Sequence, residues 1–265
     1  MKKTFLPLLI ISTCMHGSEL DLGLGFGLLS YPNYLASDQQ NGLIFPYPYV
    51  QYSSDTLQID KDGLEQKLFS IDELTLKLSI SGSLPVSSSG IREGMPELDP
   101  AGEIGPSLLY TVYKDASTSL QMELPIRAVF STNFKGVDYR GYIYEVKTLL
   151  EYKNDNNYLF EFHSGAVFGD KHYHDYLYGV APEYQTTTRN TYQAHSGYAG
   201  YKTSIGISKK FQKFWVGTFG RHYNFTHSSF NNSPLKVKNS SIYGGLAIAY
   251  LFDKKVSNKI KALLE

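Results

Sequence analysis

The strongest constraint in this sequence is a period-two alternation of apolar and polar residues that recurs along almost the whole chain. Apolar side chains at Leu20–Leu28 alternate with Asp21 and three glycines, and those at Leu74–Ile80 alternate with Thr75, Lys77 and Ser79. Further alternating segments cover residues 120–130, 142–152, 158–163 and 245–252. Because successive side chains of a strand point to opposite faces, the pattern predicts an all-β, antiparallel protein.

Two architectures make such strands. A soluble sandwich buries the apolar face, whereas a transmembrane β-barrel turns it toward lipid and lines its lumen with the polar face. Three details favour the barrel: several segments reach the 9–11 residues that cross a bilayer, the polar face carries charges of both signs at mid-strand, and aromatic residues mark strand ends. These aromatic residues are Tyr152, Tyr158, Phe168, Tyr250 and Phe252.

Composition agrees with a membrane barrel and argues against other classes. The 265 residues carry 25 basic and 25 acidic side chains, so the chain lacks the basic excess that nucleic-acid binding needs. No run of 18 apolar residues occurs, which argues against a transmembrane helix. The 22 tyrosines and 15 phenylalanines are typical of strand-rich proteins.

Connector lengths predict how the strands are arranged. Short turns are expected at 53–55, 72–73, 114–116, 153–156 and 209–212, and longer loops at 33–41, 87–101, 132–136, 171–191 and 228–239. Short periplasmic turns that alternate with longer outer loops are typical of outer-membrane barrels. The segment Leu57–Ser70 is ambiguous, because a tight turn at Lys61-Asp62-Gly63 would divide it into two strands. With that hairpin the barrel has about 12 strands, which we favour; without it the barrel has about 10.

The two ends of the chain differ from the middle. Lys2 and Lys3, the apolar run Phe5–Met15 and the small residues Gly17 and Ser18 predict a secretory signal peptide over 1–18. A lipoprotein cleavage box at Cys14 is a poorer match. The barrel is predicted over 19–252, followed by a periplasmic tail at 253–265. Apolar residues at helical spacing in the tail could form a short amphipathic helix. A helix this short is marginal on its own, so we favour a frayed end.

Several short motifs, in their order and spacing, resemble the MipA/OmpV family of outer-membrane proteins. The resemblance begins with Tyr31–Asp38 and Pro46–Tyr52, and continues with Tyr178–Pro182, Asn232–Pro234 and Tyr250–Phe252. Ala36 stands where that family usually has glycine, and the chain continues beyond Phe252, where a terminal aromatic normally ends these barrels. The matching residues are Pro32, Tyr34, Ser37, Asp38, Pro46, Pro48, Tyr49, Tyr52, Tyr178, Gly179, Val180, Ser233, Pro234 and Phe252.

The resemblance implies an outer-membrane scaffold and no catalytic site. It implies as partners a murein lytic transglycosylase and a murein synthase, together with outer-membrane lipid. A small-solute channel and a surface adhesin that acts through the long loops are the alternatives. No cofactor and no nucleic acid is expected, and the oligomeric state stays open.

Catalytic and metal sites have little support in the sequence. The adjacent pairs His163-Ser164 and His195-Ser196 place the two side chains on opposite faces of a strand, and His227-Ser228 borders a loop. A loop cluster of His172, His174, Asp170 and Asp175 could bind a divalent ion, but such clusters are more often solvated. We therefore predict neither enzymatic activity nor a bound metal.

The charges on the predicted polar face form the one candidate site. We expect these charges to form cross-strand networks that group Glu123 with Arg127, Glu145 with Lys147, and Glu161 near Lys202. A barrel of about 12 strands is narrow enough for such side chains to fill its lumen, although a narrow pore stays possible. The predicted set is Asp21, Lys77, Glu123, Arg127, Glu145, Lys147, Glu161 and Lys202.

Overall fold

The computed structural model describes residues 18–60, 63–254 and 257–258. The charged and apolar regions of the predicted signal peptide, with Cys14, and most of the tail after Asp253 lie outside these residues. The strands of the structure are β1 (Glu19–Pro32), β2 (Gln40–Ser53), β3 (Leu57–Asp60), β4 (Gly63–Ile71), β5 (Leu74–Ser83), β6 (Ala101–Lys114), β7 (Thr118–Thr132), β8 (Val137–Lys153), β9 (Tyr158–Gly169), β10 (Gly197–Lys210), β11 (Phe214–Asn224) and β12 (Ser240–Leu251).

The twelve strands close into one antiparallel barrel. Each strand pairs with its neighbours in sequence, and β1 pairs with β12 to complete the ring. The hairpin between Leu57 and Ser70 is present: β3 and β4 pair from Leu57 with Gln66 to Asp60 with Gly63. Gly63 adopts a φ of 133°, which favours glycine after such a tight turn. The predicted twelve-strand fold is therefore confirmed, and the ten-strand alternative is wrong.

The two ends of the barrel differ in their connections. At the short-turn end the strands are joined by two to four residues, at 54–56, 72–73, 115–117, 154–157 and 211–213. Four long loops stand at the opposite end, the long-loop end, at 33–39, 84–100, 170–196 and 225–239. The loop at 170–196 contains a helix, α1 (Lys171–Tyr178). Segment 132–136, predicted among the longer loops, is only the short turn 133–136.

The outer surface of the barrel is apolar. Large side chains that alternate along the strands are exposed there, among them Phe26, Ile44, Ile126, Ile205 and Ile248. An outward apolar face and an inward polar face are what a barrel immersed in lipid requires. Among the described residues, no helix has both the length and the apolar character to cross a membrane.

Candidate functional site

Eight charged side chains line one half of the lumen, and we call this set the lumen charge belt. Four are acidic and four are basic: Glu65, Glu103, Glu123 and Glu145, with Lys77, Arg127, Lys147 and Lys202. They project from β4, β5, β6, β7, β8 and β10. Equal numbers of opposite charges allow the set to be neutral without bound ions.

The first group of the belt is centred on Glu123. Its carboxylate lies 2.8 Å from the Lys147 ammonium and 3.2 Å from that of Lys77, and it accepts a hydrogen bond from the Ser107 hydroxyl at 2.5 Å. Lys77 also donates to both oxygens of Glu65, at 2.8 and 2.7 Å. Glu123 and Lys147 are directly opposite in the β7–β8 register, so the backbone sets their contact.

The second group is centred on Arg127. Its Nε donates to Glu103 at 2.9 Å, and Nη2 donates to Glu145 at 2.8 Å. Lys202 pairs with the other oxygen of Glu145. An arginine can bridge two carboxylates in this way because its guanidinium carries donors on separate nitrogens in a fixed plane.

The pairs in the structure differ from the predicted ones. Glu123 and Arg127 are four residues apart on β7, about 13 Å along an extended strand, so they cannot bond to each other. Glu145 bonds to Arg127 and Lys202 and not to Lys147, which pairs with Glu123. Strand pairing and barrel curvature set these partners, and sequence spacing does not reveal them.

The remaining two predicted charges lie elsewhere. Asp21 faces the short-turn end, where it pairs with Lys210 and lies 3.6 Å from the Lys254 ammonium. Glu161 lies with Glu151 and His163, whose ligand atoms are all within 4.8 Å of one another, and could hold a divalent cation with them. Neither Asp21 nor Glu161 belongs to the belt.

The centre of the belt is buried, whereas Glu65 at its β4 end has a side chain that is 37 % exposed. Glu123 is 1 % exposed, Glu145 5 % and Lys77 7 %. In a water-filled channel, lumen charges would contact solvent. Because buried charges are costly unless they are paired and hydrogen-bonded, the ion pairs and the packing depend on each other.

Aromatic side chains line the other half of the lumen, next to β2 and β11. Trp215 stacks on Tyr47, with ring centroids 5.6 Å apart, and lies 5.3 Å from the Tyr49 ring. Glycines make room for these rings: a Cβ built on Gly27 would lie 2.5 Å from the Phe45 ring. Gly27 on β1 thus leaves space for Phe45, and Gly217 on β11 leaves space for the Trp215 ring.

The four long loops pack together into a loop cap with its own apolar core. Tyr178 stacks on Phe230, with centroids 3.7 Å apart, and meets Tyr34 edge to face at 6.4 Å. The Tyr34 hydroxyl donates to the Leu235 carbonyl at 2.6 Å, and that of Tyr178 donates to the Leu35 carbonyl at 3.1 Å. The buried core comprises Tyr34, Ala36, Val86, Met95, Leu98, Tyr178, Val180, Phe225, Phe230 and Leu235.

Two buried arginines join loops within the cap. Arg189 donates to the carbonyls of Tyr184, Ile91 and Glu93, at 2.9, 2.5 and 2.9 Å. Arg92 donates to the carbonyls of Leu177 and Pro96, at 3.1 and 3.2 Å. Burial lowers the pKa of Arg92 from its ordinary value. The sequence analysis missed both residues, because loops have no periodicity that would indicate burial.

The histidine–aspartate cluster predicted in the 170–196 loop serves the structure of α1. Asp170 caps the helix by accepting from the Tyr173 N–H at 2.8 Å, and Asp175 accepts from the Ala194 N–H at 2.5 Å. His172 packs edge to face on Tyr139, whereas His174 is fully buried. The two imidazoles therefore lie in different environments.

A serine–histidine contact that the sequence did not indicate lies within the cap. His174 Nδ1 is 3.0 Å from the Ser229 hydroxyl and 2.7 Å from the His195 carbonyl. A carbonyl only accepts, so Nδ1 carries the proton and cannot deprotonate Ser229. The side chains of the adjacent pair His163-Ser164 point to different neighbours. The Ser164 hydroxyl is within hydrogen-bond distance of the Tyr201 and Thr203 hydroxyls, whereas His163 is close to Glu161.

The closed antiparallel ring, its apolar outer face and its polar lumen define an outer-membrane β-barrel protein. The chain belongs to the family of MltA-interacting protein MipA, whose model matches residues 24–252, as the sequence motifs predicted. No curated protein matches the chain.

Solved structures of similar fold have low sequence identity. The NanC porin is 8 % identical, with a TM-score of 0.40, over 88 % of this chain and 99 % of its own. The outer-membrane protease OmpT of Escherichia coli is 8 % identical (TM-score 0.29; 89 % and 96 %), and OccAB4 of Acinetobacter baumannii is 8 % identical (TM-score 0.32; 90 % and 99 %). With TM-scores this low, these similarities say nothing about the function of the chain.

The family-motif residues fall into two places. Most lie in or beside the loop cap: Pro32, Tyr34, Ser37 and Asp38 from one loop, Tyr178, Gly179 and Val180 from another, and Ser233 and Pro234 from a third. The Ser233 hydroxyl donates to the Tyr178 carbonyl at 2.7 Å, which ties two of these loops together. The others lie on the barrel: Pro46, Pro48, Tyr49 and Tyr52 on β2, and Phe252 just after β12.

The structure shows the surroundings of the two positions at which the chain departs from the family pattern, Ala36 and Phe252. Ala36 is fully buried with a φ of 72°, a left-handed conformation that explains why glycine suits this position. The Phe252 N–H donates to the Leu22 carbonyl at 2.8 Å, so Phe252 continues the pairing of β12 with β1. It therefore lies at the strand seam that closes the ring.

Proposed function

We propose that this protein is a closed outer-membrane scaffold that brings together a murein lytic transglycosylase and a murein synthase. The single observation that carries the proposal is the buried, charge-balanced belt. A lumen narrowed by paired, buried side chains does not suit solute passage, which leaves the ends of the barrel as the working surfaces. The name of the family, MltA-interacting protein, supports a murein enzyme as the partner.

The short-turn end suits a docking role because its turns are held by their own side chains. Asp115 accepts from the Tyr113 hydroxyl at 2.6 Å and from the N–H groups of Ser117 and Thr118 at 2.8 and 2.7 Å, and these bonds lower the pKa of Asp115 to about 2. Asn154 accepts from the N–H groups of Asn156 and Tyr158, each at 3.0 Å. Turns that are already ordered lose little conformational entropy on binding.

Affinity capture tests the partner. The intact protein, solubilised from envelopes under conditions that preserve complexes, is expected to recover a lytic transglycosylase and a murein synthase. A variant with Asp115→Asn and Asn154→Ala should recover less of both, whereas Asn133→Ala, in a turn at the long-loop end, serves as the matched control. Recovery of neither enzyme by the wild-type protein would contradict the scaffold proposal.

Planar-bilayer recordings test the closed lumen separately. We expect no stable conductance steps from the wild-type protein. Reproducible unitary steps, abolished by heat unfolding of the same sample, would instead favour the small-solute channel. The two experiments are independent, because a closed barrel could still lack murein partners.

A further inference from the structure

One edge of β2 lacks a strand partner over most of its length. β2 pairs with β1 along all 14 of its residues but with β3 only at Tyr52 and Ser53. β3 has four residues, and its pairing with β2 among the described residues reaches no further than Tyr52 with Ile59. Within the described residues, the β3-facing edge of β2 from Asn41 to Gln51 pairs with no other strand.

The two prolines of β2 both lie on this unpaired edge. Two hydrogen bonds at the ends of β2 show which way its backbone groups point. Just after β2, the Ser54 N–H donates to the Leu57 carbonyl of β3 at 2.9 Å, and just before β2, the Gln39 carbonyl accepts from Asn33, next to β1, at 3.0 Å. Backbone groups alternate in direction along a strand, so even-numbered residues of β2 point toward β3 and odd-numbered ones toward β1. Pro46 and Pro48 are therefore aimed at the missing neighbour.

Proline at these positions suits a permanently open edge. It has no N–H, so two donors that would otherwise face hydrocarbon without a partner are absent. The same feature disfavours pairing with a strand from another protein, because that strand would find no donors at Pro46 and Pro48. The prolines therefore remove two of the unpaired donors, while Gly42, Ile44 and Val50 keep theirs, and the edge is disfavoured for strand addition at its centre.

A cleft lies at the upper border of this edge. It has a volume of about 310 Å³ and lies between the start of β2, at Asn41 and Gly42, and the β5–β6 loop, at Pro85, Val86 and Ser87. A Cβ built on Gly42 would meet no atom within 4 Å. Next to it, Ile44 is 74 % exposed on the outer face. We call the unpaired edge and this cleft the lateral opening.

The β2 side of the lumen at the lateral opening is apolar, whereas β4 and β5 on the far side of the opening carry Glu65 and Lys77 of the belt. The inward side chains of β2 there are Leu43, Phe45 and Tyr47, and Tyr47 stacks on Trp215. The belt cations Lys77 and Arg127, each bound to two carboxylates, belong to the other half. An occupant that enters from the bilayer would meet apolar and aromatic surface first.

We propose that the lateral opening admits the acyl chain of a membrane amphiphile from the bilayer into the aromatic half of the lumen. The polar rim of the cleft, with Asn41, Ser87 and Glu97, places uncharged and acidic groups at the level of a headgroup. This binding is independent of the scaffold role, since it uses the wall of the barrel and not its short-turn end.

Photo-cross-linking from within the bilayer tests this proposal. The full-length protein is reconstituted into phosphatidylcholine vesicles that contain a phospholipid with a diazirine on its acyl chain, irradiated, and mapped by mass spectrometry. We expect adducts on the inward residues Leu43, Phe45 or Tyr47 as well as on outward residues such as Ile44 and Ile248. Adducts confined to outward residues would overturn the proposal.

A matched pair of variants tests the route. Gly42→Trp adds a large side chain at the mouth of the cleft and should reduce the inward adducts several-fold while leaving the outward ones unchanged. Gly102→Trp, at a β6 glycine whose Cβ would also meet nothing within 4 Å, should leave both unchanged. Equal inward labelling in the two variants would exclude the cleft as the entrance. The wild-type map decides the main proposal even if a variant fails to fold.

Discussion

Replacing Glu123 by alanine is the most direct test of the lumen charge belt. Glu123 is buried and binds two ammonium groups and one hydroxyl. Lys77 keeps Glu65 as a partner in the variant, so the uncompensated positive charge falls on Lys147. Removing one member of a buried ion pair costs about 3–5 kcal/mol, and we expect the free energy of unfolding to fall by that amount.

Urea unfolding in phospholipid vesicles measures this loss. The fluorescence of Trp215, the single tryptophan, reports on the lumen wall. The double variant Glu123→Gln with Lys147→Met leaves three charges of each sign and should recover most of the loss, because neutral pairs of similar volume are tolerated in place of a buried ion pair.

A surface pair provides the control. Asp138 pairs with Arg140 at 2.9 Å, but its side chain is 66 % exposed, so Asp138→Ala should cost no more than about 1 kcal/mol. If Glu123→Ala costs less than the surface variant, or if the double variant is no more stable than Glu123→Ala, the belt does not hold the barrel as we describe.

Three further predictions follow from the cap and the lumen wall. Burial lowers the pKa of His174, so below pH about 6.5 the unfolded chain binds a proton that the native cap does not. As the pH is lowered through this range, the stability of the cap should therefore decrease, by at most about 1.4 kcal/mol per pH unit. Hydrogen exchange of cap amides measures this slope, and His174→Gln should flatten it. Tyr178→Ala should destabilise the cap by about 3–5 kcal/mol, seen as faster proteolysis of the long loops with the barrel intact; an unchanged cleavage rate would argue against a shared core. Gly27→Val should cost about 1–3 kcal/mol in urea unfolding because it displaces the Phe45 ring, whereas Gly102→Val should be near neutral; equal effects would contradict the packing role of Gly27.

Local pattern was sufficient to predict the barrel. The alternation at Leu20–Leu28 and Leu74–Ile80 follows from the two-residue period of a strand, and lipid selects the apolar side of that pattern whatever the partners are. The same reasoning located the hairpin between Leu57 and Ser70, because a tight turn leaves a local signal at Gly63. Family motifs were recognisable for a similar reason, since they are short stretches of sequence.

Contacts between distant strands and loops were beyond the reach of sequence. The alternation placed Glu123, Arg127, Glu145 and Lys147 on the polar face, but their partners depend on register and on the curvature that brings Lys202 of β10 to Glu145 of β8. Likewise, Tyr34, Tyr178 and Ser233 are far apart in the chain and meet only in the loop cap. Loops lack a repeating period, so burial of Arg92 and Arg189 leaves no signal in the sequence.

The sequence by itself thus determined that this chain forms a membrane barrel: the period-two alternation predicted the strands, and strand length, mid-strand charges and aromatic strand ends favoured the barrel over a soluble sandwich. The tertiary structure alone decided what fills that barrel and where its wall is open. Pairing of charges in the belt, packing of the cap and the unpaired edge at Pro46 and Pro48 all depend on which strand lies beside which, and at what height.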